Sequence, residues 1–303
     1  YGIVAGVVFI IGKTISCIAI ALTVGNYLSP LYGKEIGVVL CFLIFLLSFS
    51  GIHKTAKIAR WFVWILLGLL TFYSVSIIST QGVNYAIPVF SDISFENVLL
   101  SASIWFFAFT GYSRLATFGE EIKNPKEIIP TAIFTGLGIT VFLYLIISWL
   151  TLSIVSPEII GNSNTPLLVA MDVSRFSEFT FLVVFASSIA MVSVFLALMP
   201  GISRIYVALS RDKILPLAFS KIHKKFNSAY FSEAFVLISV VIGIYSFDVV
   251  GSIKTSSFFI LIYYTITNLC VIKLVKEKRL YSVGIAYYGF ALCLLLTATL
   301  IVF

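Results

Sequence analysis

The sequence is poor in charge and poor in reactive side chains. Asp, Glu, Lys and Arg make up 11% of its 303 residues, where an ordinary soluble chain carries about 25%. Histidine occurs twice, as His53 and His223, each in a basic stretch that reads by default as a solvated loop. Four cysteines, Cys17, Cys41, Cys270 and Cys293, lie inside apolar runs and read as small buried hydrophobes, with neither metal nor disulfide spacing. There is no cluster of His, Asp and Glu of the kind membrane enzymes gather near one surface. No G-x-x-x-x-G-K-[ST] loop is present to cradle nucleotide phosphates, so ATP-driven pumping has no support. No catalytic residue, metal ligand or cofactor is assigned, and a receptor reading has no supporting motif.

Apolar residues are what the chain has in excess. They make up 60% of it, with a mean hydropathy of +1.10. No soluble core could hide that much apolar side chain, so the solvent is lipid. A hydrocarbon core about 30 Å thick needs about 20 apolar residues per helix. Nine such segments are legible, near 1–25, 36–51, 60–80, 97–119, 129–153, 178–202, 231–248, 253–272 and 283–302. When the loops are grouped alternately, one set holds fifteen of the twenty Lys and Arg and the other only Lys34, Arg175 and Lys254. The positive-inside rule places the first set, and the Tyr1 side of the first segment, in the cytoplasm. These loops account for the net charge of +7, so no nucleic-acid partner is invoked. Residues 203–230 are basic with interleaved apolar side chains, which suits a helix lying on an anionic inner leaflet. The chain starts at Tyr1 without a charged leader, and is expected to be the middle of a longer protein.

The most informative stretch is Ser101–Pro130, SASIWFFAFTGYSRLATFGEEIKNPKEIIP. It enters as an apolar helix, meets Thr110-Gly111, and ends in Glu120, Glu121, Lys123, Asn124 and Pro125. Glycine permits non-helical backbone. Such backbone survives at membrane depth only where it is buried in protein or lines a wet cavity. A break here would expose N–H groups suited to a carboxylate, flanked by Trp105, Phe106, Phe107, Phe109 and Tyr112 as a candidate hydrophobic gate. A continuous helix with a small residue for close packing is the alternative.

Two basic residues lie inside spans. An ionised Lys or Arg at mid-helix costs about 2.5–3.5 kcal/mol on insertion scales, so each should face a cavity or a partner. Lys13 sits near the middle of the first segment and reads either as a proton-coupling or cation-mimicking amine or as a snorkelling surface residue. Arg114 lies two helical turns before Glu121 on the same face. That spacing fits a cytoplasmic gate or a purely structural ion pair.

The run Phe106-Phe107-Ala108-Phe109-Thr110-Gly111-Tyr112, followed by Ala116–Pro125, resembles the sixth span of the amino acid–polyamine–organocation permeases, with their F-x-G-[FY] and E-E-[VI]-[KR]-[ND]-P patterns. Gly201–Tyr206 and Ala208–Pro216 resemble the end of that family's eighth span, and Gly12–Cys17 is more weakly similar to a third span. The resemblance implies an all-α, polytopic membrane helix bundle of the leucine-transporter-like 5+5 inverted-repeat fold. It would be present in part, as about spans 3 to 11 of 12. Residues 1–303 would then form a single transmembrane permease domain lacking its first two spans. The implied activity is secondary active transport of amino acids across the plasma membrane by alternating access, as symporter or antiporter. It would be coupled to protons rather than Na+, or run as exchange. A carrier of another small organic solute is the alternative. Phe109, Thr110, Gly111, Tyr112 and Ser113 would meet the amino-acid moiety. Ser187, Ser188 and Met191 fall where relatives place a cation or its substitute, unless they form a packing seam. A proton-coupled relative uses a lysine in span five. This chain has none from Trp61 to Thr80, so that device does not carry over.

Overall fold

A computed structural model describes residues 2–49, 56–80, 94–112, 122–223, 226, 228–275, 277, 279 and 281–302. Among these the architecture is all helical. The elements are α1 (Gly2–Leu28), α2 (Gly33–Phe49), α3 (Ala56–Ile78), α4 (Phe95–Phe109), α5 (Pro125–Ile154), α6 (Pro157–Gly161), α7 (Pro166–Asp172), α8 (Thr180–Arg211), α9 (Tyr230–Ser246), α10 (Val249–Lys273) and α11 (Val283–Val302). Each of the nine apolar segments has its helix. Six helices are long and apolar enough to cross a bilayer: α1, α3, α5, α8, α10 and α11. Helices α2 and α9 have 17 residues each and α4 has 15. At 1.5 Å per residue, α4 covers only about 22 Å of a core about 30 Å thick.

Helix α1 is the centre of the bundle. Of its most apolar window 61% is buried, against 33% or less for the other five long helices. It packs on α2, α8, α9 and α10. The main cluster joins Ile18, Ile20 and Leu22 of α1 to Ile44, Phe195, Met199, Ile202, Val236 and Ile244. With lipid outside, close packing and interhelical hydrogen bonds replace the hydrophobic effect as the force between helices. The α1–α10 seam shows both. Gly12 lets α10 approach so closely that an added Cβ would lie 2.9 Å from Ile260 Cγ1 and 3.1 Å from Phe259 Cβ. One turn on, the Ser16 and Ser256 hydroxyls lie 2.7 Å apart, and both are within 3.0 Å of the Gly12 carbonyl oxygen. By contrast α5 shows lipid Phe134, Phe142 and Leu145, each more than 60% exposed.

The basic 203–230 stretch is divided. Its first part, to Arg211, continues α8, and a 3-10 turn follows at Leu217–Ser220. His223, expected to be a solvated loop residue, is instead packed among rings. Phe226 lies 5.0 Å away, Phe49 at the end of α2 is 5.4 Å away, and Nδ1 is buried. Cys17, Cys41 and Cys293 are buried, whereas Cys270 is exposed on α10, and all four are free thiols.

Candidate functional site

Helix α4 is built to start and stop. Ser94 caps its N-terminus in extended conformation, its hydroxyl accepting from Asn97 N at 3.1 Å. The α-helical ladder ends at Phe109, and Thr110, Gly111 and Tyr112 follow as a 3-10 turn. The next helix begins at Pro125, after Asn124 in the left-handed region at φ 51°. Proline suits a first helical position because its missing N–H would have no intrahelical partner there. Among the described residues, α4 ends at Phe109 with Thr110 as its C-cap.

The described end of the break presents carbonyls, and the N–H side expected to meet a carboxylate lies outside the described residues. A broken helix has two new ends, and the described one is C-terminal. It presents carbonyl oxygens with partial negative charge, not N–H groups. Each described partner is a donor. The Phe107 carbonyl accepts from the Thr110 hydroxyl at 2.9 Å and from the Thr110 backbone N–H. The Ala108 carbonyl accepts a long bond of 3.4 Å from the Tyr144 hydroxyl of α5. The Thr110 carbonyl accepts from Lys13 Nζ at 2.9 Å, across 97 residues of sequence. Lys13 is 3% exposed and Thr110 5%. The Lys13 amine is thus buried against the end of α4. An ammonium at a helix C-terminus has the favourable sign of charge. The Phe9 ring, 6.0 Å from Nζ, adds a cation–π contact.

Aromatic rings wall the same place. Tyr112 stacks on Tyr264 of α10 at 5.4 Å with 11° between planes, and Phe106 meets Tyr264 edge-on at 5.6 Å. Phe9 and Tyr263 make an edge contact at 5.2 Å. On the other side Phe109 packs against Tyr144 at 5.4 Å. Phe107 is half-buried, and a methyl added at Gly111 would meet nothing within 4 Å among the described residues. Below the break, the Ser103 hydroxyl donates to Leu99 O at 2.8 Å and to Leu296 O of α11 at 3.2 Å, tying α4 to its neighbour.

Thus Lys13 and Thr110 are brought together, with Phe106 and Tyr112 beside them. Ser113, Arg114 and Glu121 lie outside the described residues. Ser187 belongs elsewhere, near the Tyr27 hydroxyl of α1. The neighbouring Ser188 Oγ is buried and has no partner among the described residues, while Met191 packs on the main cluster. Phe9, Tyr263 and Tyr264 are the site residues that sequence reading missed. Their only signal was aromatic content in apolar spans, which many other rings share in kind. Two cavities, of about 360 and 430 Å³, lie at the α1–α2 turn and beside Arg204 and Arg211, both away from the break.

Comparison with known proteins gives the family. The family model for amino acid permeases matches residues 2–303. An uncharacterized transporter of Mycobacterium tuberculosis is 34% identical over 272 residues, covering 88% of this chain and 61% of that protein. The methylthioribose transporter of Bacillus subtilis is 29% identical over 153 residues, 49% of this chain and 33% of the relative. A branched-chain amino acid permease of the same organism is 24% identical over 190 residues, 62% of this chain and 40% of the relative. The chain belongs to the amino acid permease family, whose members are multi-pass membrane transport proteins and not enzymes. It spans less than two thirds of the length of these curated relatives.

Proposed function

We propose that the complete protein is a secondary active transporter that carries neutral amino acids across the plasma membrane by alternating access, with the α4 break as half of its substrate site. The observation that carries this reading is the end of α4 at Phe109–Tyr112, with its terminal carbonyl held by a buried amine. Non-helical backbone at membrane depth needs a buried or water-filled setting, and transporters of this architecture use such breaks to meet solute and coupling ion. The aromatic wall of Phe9, Phe106, Tyr112 and Tyr264 suits an apolar side chain. Fifteen of twenty Lys and Arg in alternate loops favour an inward-facing start at α1. Movement is driven by proton symport or by exchange, with Na+ the less favoured ion.

The test is uptake of radiolabelled leucine, glutamate, lysine and putrescine into proteoliposomes holding the full-length protein, with imposed proton or sodium gradients. Uptake of leucine driven by a proton gradient or by internal amino acid is the expected result. Uptake that strictly requires sodium would overturn the coupling, and failure to carry any of these solutes would overturn the substrate class. The similarity to a methylthioribose transporter supports a second reading, a carrier of a small apolar organic solute without an amino-acid group. Methylthioribose uptake that excess leucine does not compete would favour that reading.

A further inference from the structure

From the Lys13–Thr110 contact we infer that Lys13 is a tethered ammonium occupying the amine position of this site, which an ammonium-bearing solute takes over when it binds. The inference rests on the transport reading of the same site, and it adds the residue that a solute must displace.

The carbonyl at the end of α4 is the natural place for a positive group, because the last carbonyls of a helix carry partial negative charge and have no intrahelical donor. In this structure Lys13 Nζ is that group, 2.9 Å from Thr110 O. Lys13 comes from α1, the central helix, and Thr110 closes α4, so the bond joins two elements far apart in sequence. The Phe9 ring, 6.0 Å from Nζ, and the packed Phe106, Tyr112, Tyr263 and Tyr264 offer ring faces and edges to an organic cation. A carbonyl has two lone pairs and could in principle serve two donors. Two ammonium groups on one oxygen would stand about 4 Å apart. Even at an effective dielectric near 20, their repulsion would disfavour joint occupancy by roughly a thousandfold. A solute ammonium and the Lys13 ammonium therefore exclude one another. When the solute takes Thr110 O, α4 loses its bond to α1, so occupancy is coupled to the contact between the break and the centre of the bundle. The ligand class this selects is a primary or secondary ammonium with N–H donors. A quaternary ammonium has none and cannot replace Lys13.

The experiment uses the full-length transporter with Lys13→Met, Lys13→Ala and Lys13→Arg, read by leucine uptake in proteoliposomes and by thermal unfolding in detergent. A charge-assisted hydrogen bond removed from competition should lower the KM for leucine about tenfold in Lys13→Met. The maximal rate should fall, because the amine that displaces the solute is gone. Lys13→Arg, which keeps a donor, should keep KM within about threefold of wild type, at most about half of that shift on a logarithmic scale. Ethylammonium should raise the unfolding temperature of Lys13→Ala and leave the wild type unmoved, and tetramethylammonium should do neither. A purely structural lysine predicts a raised KM in Lys13→Met and no distinction between the two cations, and that result overturns the inference. If Lys13→Met is too unstable for uptake, ethylammonium rescue of Lys13→Ala decides alone. Rescue by ethylammonium in a protein that carries no amino acid would support the tethered amine and overturn the transport reading. Leucine uptake with unchanged KM in Lys13→Met, and no rescue, would do the reverse.

Discussion

Substituting alanine at Gly12 tests the seam on which the site stands. The added Cβ would lie 2.9 Å from Ile260 Cγ1, 3.1 Å from Phe259 Cβ and 3.4 Å from Ile260 N. Real Cβ contacts do not come that close, so a neighbour must move. Ile260 is wholly buried, and its Cγ1 lies near the root of the side chain. Phe259 Cβ and Ile260 N are fixed by the α10 backbone and do not yield to a rotamer change, and burial resists a χ1 change at Ile260. Overpacking of this kind costs about 1–3 kcal/mol. Replacing a mid-helix glycine by alanine returns at most about 1 kcal/mol of helix propensity. The packing term wins, and Gly12→Ala should destabilise the full-length protein by about 1 kcal/mol or somewhat more. Reversible denaturant unfolding in mixed micelles, followed by tryptophan fluorescence, measures this. The cause is checked in an Ile260→Ala background, where the penalty at Gly12 should shrink by about 1 kcal/mol, the coupling expected of residues in contact. Gly12→Ala as stable as the parent, or equal costs in both backgrounds, would refute the account. Because Lys13 follows Gly12 directly, the same displacement should loosen the bond to Thr110, and leucine KM should change with stability.

Three further outcomes are expected. Ser256→Ala removes a buried hydroxyl from the Ser16–Gly12 cluster and should cost about 0.6 kcal/mol, the usual worth of an interhelical hydrogen bond in a membrane bundle, in the same unfolding assay. Phe195→Ala empties the middle of the main cluster, where Phe195 has no exposure, and should cost about 3–5 kcal/mol, read as loss of folded protein after detergent extraction. In a cysteine-free background, cysteine at position 34 should react with an impermeant maleimide on intact cells and cysteine at position 221 only after lysis, as the charge map requires; the opposite pattern would invert the topology.

How much of this could be read from residues alone depends on whether the signal is local. The helices were legible because a bilayer demands long apolar runs, and each of the nine runs became a helix. The break in the fourth was legible because Thr110-Gly111 interrupts an apolar run just before a charged stretch. Lys13 stood out because a charge is costly at membrane depth. The opposite holds for the wall of the site. The spans are apolar on nearly every side, so periodicity did not say which rings of α10 face α4, and Tyr263 and Tyr264 passed unnoticed. His223 was misjudged for a related reason, since its loop is basic in sequence while its packing comes from Phe49 and Phe226, one of them 174 residues earlier.

By itself, then, the amino-acid sequence determined the solvent, the helical segments, the sidedness the charges favour, and the two points in the membrane where something other than packing must happen. Those are consequences of transfer free energies and backbone freedom, which act residue by residue. Only the tertiary structure decided that the two points are one. Lys13 and Thr110 meet because Gly12 and Ser16 seat α1 closely on α10, and α10 in turn packs against α4. Tertiary structure also decided the sign of the site's backbone charge. A helix break offers N–H groups on one side and carbonyls on the other, and which of them meets a given side chain depends on which half-helix packs beside it. Among the described residues it is the carbonyl end that is seen, and the group it holds is an amine the protein supplies itself.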